Sequence, residues 1–267
     1  MKIAIYGEAG SYTEQAAYNA FAGMVPVHCK YISEVFKAVG KRADLGIVPI
    51  ENSIEGVVTA TYDNLIGLRL NIMQEITMRI DHCLISNPGT KLPEVKRVYS
   101  HPQALGQCRE YLERHGLGSI PYYDTAGSVM MLKETGMPDA AAIASPYAAR
   151  LYHMKILARS ISTNKKNYTR FLVVSKTAAA RGEKTSVVFA ARPIAGALFN
   201  ALGAFASNGI DLTFIQSRPV VGHPWSYNFY VDFKGDKGDP KVVMALSELR
   251  KRAKFVKVLG SYKKSEV

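Results

Sequence analysis

The chain has 267 residues, 48% hydrophobic and 21% charged, a balance that suits one large globular domain or two smaller ones. No apolar run approaches the roughly 18 residues of a membrane helix, and Cys29, Cys83 and Cys108 are far apart without zinc-type spacing. These features predict a cytoplasmic protein with free thiols and no membrane contact. The net charge of +12 admits nucleic acid, an acidic surface or an anionic small substrate. Its densest cluster, Arg250-Lys251-Arg252 with Lys254, Lys257, Lys263 and Lys264, falls on a helix end and an edge strand. No zinc finger or aromatic-interleaved basic strand accompanies it, so nucleic acid is not the expected partner.

In chain order, Met1 to Gly7 reads as a strand running into a glycine turn, not as a signal peptide. Ser11-Tyr12-Thr13-Glu14 is a capping box that opens a helix with Ala16, Ala17, Ala20 and Phe21 on one side. Strands are predicted at 2–6, 45–50, 81–86, 97–100, 140–144 and 171–174, with helices between them, which is the α/β pattern. Ser145-Pro146 marks a further helix start. Residues 175–184 are small and polar and read as a linker. Beyond it come a strand at 186–190, a helix at 194–207 closed by Asn208-Gly209, and strands at 210–215 and 227–233. A helix at 240–252 and a strand at 255–260 complete the order βαββαβ, the ferredoxin-like motif.

Several predicted helices begin directly after a strand with hydroxyl or amide residues at the junction: Gly10-Ser11, Glu51-Asn52-Ser53, Ser100 to Gln103, Asp124 to Ser128, and Ser145. In an open α/β sheet such junctions gather at the carboxyl ends of the strands, where backbone N–H groups cradle anions. Taken singly, each is merely a helix cap. Asn167-Tyr168-Thr169-Arg170-Phe171 adds a hydroxyl and a guanidinium at the head of a buried apolar run. Strand alternation sends Thr169 and Arg170 to opposite faces, so both serve one ligand only at a strand mouth or bend. A P-loop, a complete dinucleotide fingerprint, a nucleophile elbow and H-E-x-x-H spacing are all missing from the sequence. A site built here works with hydroxyls, amides and arginine.

The chain resembles the monofunctional prephenate dehydratases. The resemblance lies in Gly7 to Thr13, Val48 to Gly56, Ser100 to Cys108, Asp124-Thr125-Ala126, Ala141 to Tyr152 and Asn167 to Phe171, in that order. Gly196 to Phe199 and Ile210 to Pro219 are similar to the ACT regulatory module that follows the catalytic part in that family. The resemblance implies an α/β architecture: a two-lobed, periplasmic-binding-protein-like catalytic domain over 1–178, then a ferredoxin-like ACT domain over 185–262. The chain would cross between lobes near 79–82 and 156–162. It implies a carbon–oxygen lyase that needs no cofactor or metal, converting prephenate to phenylpyruvate in phenylalanine biosynthesis. The homodimer or homotetramer would be inhibited by L-phenylalanine.

By the same resemblance, Thr169 and Arg170 are the candidate catalytic residues. Thr169 would present a hydrogen bond to the leaving hydroxyl, directly or through water. Arg170 would clamp a substrate carboxylate or brace the loop. Ser11, Asn52, Ser53, Gln103, Thr125 and Phe171 are the candidate binding residues, Phe171 chiefly as core beneath the site. Glu51 is equally a base by type and a cap-region carboxylate. Gly196, Ala197, Leu198, Asp211, Leu212, Thr213 and Gln216 would hold the effector. Asp211, Phe214 and Gln216 stand where the family commonly has asparagine, lysine and glutamate, which puts effector identity and strength in question. Arogenate dehydratase and a non-catalytic two-lobed amino-acid sensor are the alternative readings.

Overall fold

The computed structural model describes residues 1–67, 69–220 and 222–267. The chain opens with β1 (Lys2–Tyr6), α1 (Tyr12–Ala20), β2 (Val25–Cys29), α2 (Ile32–Ala38), β3 (Leu45–Asn52), β4 (Gly56–Val57), α3 (Thr59–Gly67) and β5 (Asn71–Arg79). A second group follows: β6 (Cys83–Ser86), β7 (Arg97–Ser100), α4 (Pro102–Gln107), α5 (Arg109–Arg114), β8 (Gly118–Pro121), α6 (Thr125–Thr135), β9 (Ala140–Ala144), α7 (Pro146–Tyr152) and β10 (Lys155–Ala158). The remainder is β11 (Tyr168–Ser175), β12 (Lys184–Ala191), α8 (Ala197–Ala206), β13 (Leu212–Val220), β14 (His223–Lys234), α9 (Pro240–Arg252) and β15 (Ala253–Glu266).

Two mixed sheets make two lobes. In the first, β1 lies parallel to β2 and β3, and β11 runs antiparallel between β3 and β5. The second has the order β10-β6-β9-β7-β8. The chain enters the second lobe across 80–82 and leaves it across 159–167. Small side chains set the packing of the second lobe. All five alanine-rich positions of β9 are buried, and Ala126, Ala148 and Ala149 of α6 and α7 close onto them. The helix starts follow the sequence: Ser11 Oγ accepts from Glu14 N at 3.3 Å, and Glu14 Oε2 accepts from Gly10 N at 2.6 Å. Ser145 caps α7 by accepting from Ala148 N at 2.9 Å and also donates to the Gly10 carbonyl at 3.1 Å, tying the two lobes together.

The C-terminal unit has the βαββαβ order, with its strands arranged β13-β14-β12-β15. Helices α8 and α9 cover one face through Phe189, Phe205, Phe233, Leu246 and Leu249. The opposite face, carrying Val188, Tyr230, Leu259 and Tyr262, packs on α2 and α3 of the first lobe.

The last strand departs from the expected boundary at 262. It continues to Glu266, and Lys263 to Glu266 pair in parallel with Gln74 to Thr77 of β5. The C-terminal unit and the first lobe therefore share one ten-stranded sheet. Gly260 permits the crossing, because a Cβ there would lie 2.2 Å from the Ile72 carbonyl oxygen. Strand β5 itself was missed in the sequence, where the polar Gln74-Glu75 pair interrupts its apolar pattern. Among the described residues no helix is long and apolar enough to cross a membrane.

Candidate active site in the interlobe cleft

A cleft of about 460 Å³ lies between the lobes. Its walls include the first turns of α1 (Tyr12, Thr13), α3 (Thr59, Ala60) and α6 (Thr125), together with Ser11 and Asp124 at their caps. Unpaired N–H groups and the positive ends of helix dipoles make such a place favourable for carboxylates. Thr169, Asn52, Ser11, Gln103, Thr125 and Phe171 all line it. Phe171 is 1% exposed and belongs to the core beneath the cleft floor.

The orientation of the Thr169 hydroxyl follows from its neighbours. Asn52 Oδ1 accepts from the backbone N–H groups of Ile54 and Glu55, each at 3.0 Å. Its amide nitrogen must therefore point the other way, and it donates to Thr169 Oγ1 at 2.9 Å and Asn167 Oδ1 at 2.7 Å. Thr169 Oγ1 is thus an acceptor toward the protein. Its own proton has no protein acceptor among the described residues and is free for a ligand in the cleft.

The same polarity runs on into the second lobe. Asn167 Nδ2 donates to Gln107 Oε1 at 2.8 Å, and Gln107 Nε2 donates to Glu55 Oε1 at 2.9 Å. Gln107 Oε1 also meets His82 Nε2 at 2.9 Å, so that nitrogen carries a proton. Burial holds the His82 imidazole below its ordinary value, against the opposing pull of Gln107 and Asp81. The Tyr12 hydroxyl lies 2.7 Å from Nδ1 of the ring and 3.0 Å from the Asp81 carbonyl oxygen, so its one proton is shared between these two acceptors. Gln103 Nε2 adds a second contact to the Glu55 carboxylate at 3.3 Å. Glu55, on the first lobe, thereby grips two amides of the second. At the cleft rim, burial pushes the Asp124 carboxyl up, although the Gly127 and Ala126 N–H groups oppose the shift.

Two of the expected residues lie elsewhere. Ser53 accepts from Tyr168 N at 2.9 Å and donates to the Lys166 carbonyl at 3.2 Å; it holds the loop before β11 and does not line the cleft. Arg170 points through the other face of the sheet, as alternation requires. Its guanidinium meets Glu51 at 2.6 Å, Glu75 at 2.9 Å and Asp232 of β14 at 2.7 Å. Burial works against its charge, and Asp232 and Glu75 outweigh burial and keep it protonated. Its guanidinium is occupied by these three carboxylates, and Arg170 does not line the cleft. Glu51 is committed to the same ion pair. His82, Gln107, Asn167, Glu55 and Tyr12 were not singled out in the sequence, although most sit inside the motif stretches quoted above. Their types carry no chemistry until the two lobes bring them together.

The expected effector residues divide into two places. Gly196, Ala197 and Leu198 line a cavity of about 760 Å³ with Arg192, Trp225 and Phe255. Asp211, Leu212, Thr213 and Gln216 do not line it. Asp211 pairs with Lys234 at 2.6 Å, and the Thr213 hydroxyl reaches the Asp232 carbonyl at 3.3 Å. The reason is topological: α8 runs back along the sheet, so its start and the start of β13 are separated by its ten residues, about 15 Å.

The prephenate dehydratase family model matches residues 3–179. The chain belongs to the prephenate dehydratase family. It is 38% identical over 276 residues to "Arogenate dehydratase/prephenate dehydratase 2, chloroplastic" of Arabidopsis thaliana, covering 98% of this chain and 72% of the relative. Among solved structures it is similar to a prephenate dehydratase in complex with L-Phe from Arthrobacter aurescens. That similarity has a TM-score of 0.91 and 34% identity, covering 98% of this chain and 90% of the other. It is also similar to GqqA, described as a novel type of quorum quenching acylase, with a TM-score of 0.92 and 32% identity over 99% and 98% of the two chains.

Proposed function

We propose that the interlobe cleft converts prephenate to phenylpyruvate, releasing carbon dioxide and water. The observation that carries this reading is the Thr169 hydroxyl, which lines the cleft and accepts from Asn52 while no described protein group takes its proton. Prephenate is a dianion with a carboxylate and a hydroxyl at opposite ends of a cyclohexadiene ring. The ring carboxylate leaves as carbon dioxide, its bonding electrons complete the aromatic ring, and the hydroxyl departs with one proton taken up as water. Aromatisation supplies the driving force. The protein has to orient the dianion and stabilise the departing oxygen. Thr169 donates to that oxygen as negative charge builds on it, where a fixed donor contributes most. Ser11, Thr125 and the first turns of α1, α3 and α6 face the substrate carboxylates. Asn52, Asn167, Gln107 and His82 hold the donor in place.

The C-terminal unit acts as an ACT regulatory domain in this reading, and L-phenylalanine binds at the Gly196 end of α8. The large exposed side chains there, Phe199 at 80%, Trp225 at 89% and Ile194 at 65%, favour assembly into a homodimer or a larger homo-oligomer.

A second reading takes arogenate as substrate. The similarity to a relative named for both substrates favours it, as do Glu8 and Asp124 near the cleft mouth, which suit an ammonium group. The test is to incubate purified protein with prephenate and, separately, arogenate, following phenylpyruvate and phenylalanine formation with and without added phenylalanine. A kcat/KM for prephenate above that for arogenate supports the first reading, and the reverse ratio supports the second. No turnover of either removes both.

A further inference from the structure

The motif residue that the cleft does not use, Arg170, and the motif departure that the sequence leaves unexplained, Phe214, meet in the structure. Phe214 sits on β13, the strand carrying Leu212, Thr213 and Gln216 of the expected effector residues. Its ring lies 5.5 Å from the Arg170 guanidinium carbon and is stacked on Tyr62 of α3, with centroids 5.9 Å apart and planes 11° from parallel. One ion pair of Arg170 also reaches the C-terminal unit. Asp232 of β14 binds it directly, and Lys184 of β12 bridges Glu75 at 2.7 Å and Asp232 at 3.0 Å. Strands β11 and β3 place Thr169 opposite Asn52, on the cleft face, and Arg170 opposite Glu51, on the other face, in adjacent register. The Arg170–Glu51 ion pair on one face thus fixes the strand pairing that sets the Asn52–Thr169 hydrogen bond on the other. Helix α3 is gripped from the same side: Arg218 of β13 binds Asp63 at 2.9 Å, and the Tyr230 hydroxyl donates to the Tyr62 carbonyl at 2.7 Å.

We propose that Phe214, Asp232 and Arg170 form the joint through which the C-terminal unit sets the position of Thr169, with Arg170 a positioning residue of the cleft. This rests on the function proposed above. A movement of β13 or β14 shifts the guanidinium, the guanidinium shifts Glu51 and the β3–β11 register, and the Thr169 donor moves off the leaving oxygen. The face of β13 that touches the lobe carries the signal without taking part in effector contact.

The test compares the parent protein with Phe214→Leu and Asp232→Asn, using prephenate as substrate and L-phenylalanine as effector. For Phe214→Leu, the phenylalanine concentration giving half-inhibition is expected to rise about tenfold, while the concentration half-saturating the thermal shift stays within about twofold. A loss of folded protein lowers turnover without separating those two concentrations. If they move together, or neither moves, the joint is overturned.

A second measurement needs no turnover. Amide hydrogen exchange of the segment 167–172 is expected to quicken at least about threefold in either variant, although both substitutions lie in the C-terminal unit. Unchanged exchange overturns the proposal. Absence of turnover, or of inhibition, in the parent counts against the proposed function, and the exchange result then decides the joint by itself.

Discussion

A threonine hydroxyl is a weak acid, and what distinguishes Thr169 is the direction in which it is forced to donate. Asn52 is locked by two backbone N–H groups, and that lock passes to Oγ1. Removing the hydroxyl removes a donor matched to transition-state charge, a loss of about 3 kcal/mol. Thr169→Ala is therefore expected to lower kcat by about a hundredfold or more in a prephenate turnover assay, with serine retaining most of the rate. A rate within threefold of the parent would remove Thr169 from the chemistry. His82 makes a different prediction. Its folded-state pKa lies below the ordinary 6.5 because of burial, so the unfolded chain takes up a proton first as the solution is acidified. The resulting penalty is absent well above pH 6.5 and grows as pH falls through that value toward the folded-state one. The melting temperature should fall between about pH 7.5 and 5.5 by more in the parent than in His82→Gln. Equal slopes would show that the ring does not stay neutral in the folded protein.

At the scale of elements, β5 decides much of the architecture and was the hardest to see. Glu75 looks like a surface carboxylate in an amphipathic stretch, yet it is 3% exposed and satisfied by Arg170 and Lys184 from distant parts of the chain. Local pattern cannot reveal a buried charge whose partners are about a hundred residues away. The alternation of Thr169 and Arg170 was legible, and so were the capped starts of α1 and α7, because both depend on neighbours in sequence. Which face of β11 looked into the cleft was not legible, since that depends on β5 and on the unit packed behind it. The helix between the two groups of expected effector residues was legible, but which of them line one cavity was not, since that depends on how α8 packs on the sheet. The β15 crossing gives a stability prediction. Gly260→Ala forces a methyl group against the Ile72 carbonyl, and a shift at that crossing is expected to cost about 2 kcal/mol or more. The urea midpoint should drop with an unchanged m-value. An unchanged midpoint would show that β15 crosses β5 with room to spare.

For the whole molecule, the apolar patch around Phe199 and Trp225 and the cavity beside it stand together at one end. If this patch joins two copies, Trp225→Lys should shift sedimentation toward a single chain, and an unaltered sedimentation coefficient would place the interface elsewhere. Phenylalanine at about a hundred times its Kd should raise stability by about 2.7 kcal/mol by linkage and carry the melting temperature with it. No shift would mean that the cavity at the start of α8 does not hold phenylalanine. The shared sheet has a consequence for anyone who wishes to exchange regulatory modules between relatives. Residues 263–266 supply the outer neighbour of β5, so a graft cut at the linker takes away a strand of the recipient lobe along with the donor's module. What remains is a sticky edge with Glu75 and Arg170 stripped of Lys184 and Asp232. A working chimera must carry the foreign tail together with a compatible β5, which makes the two parts inherit as a pair and not as interchangeable cassettes.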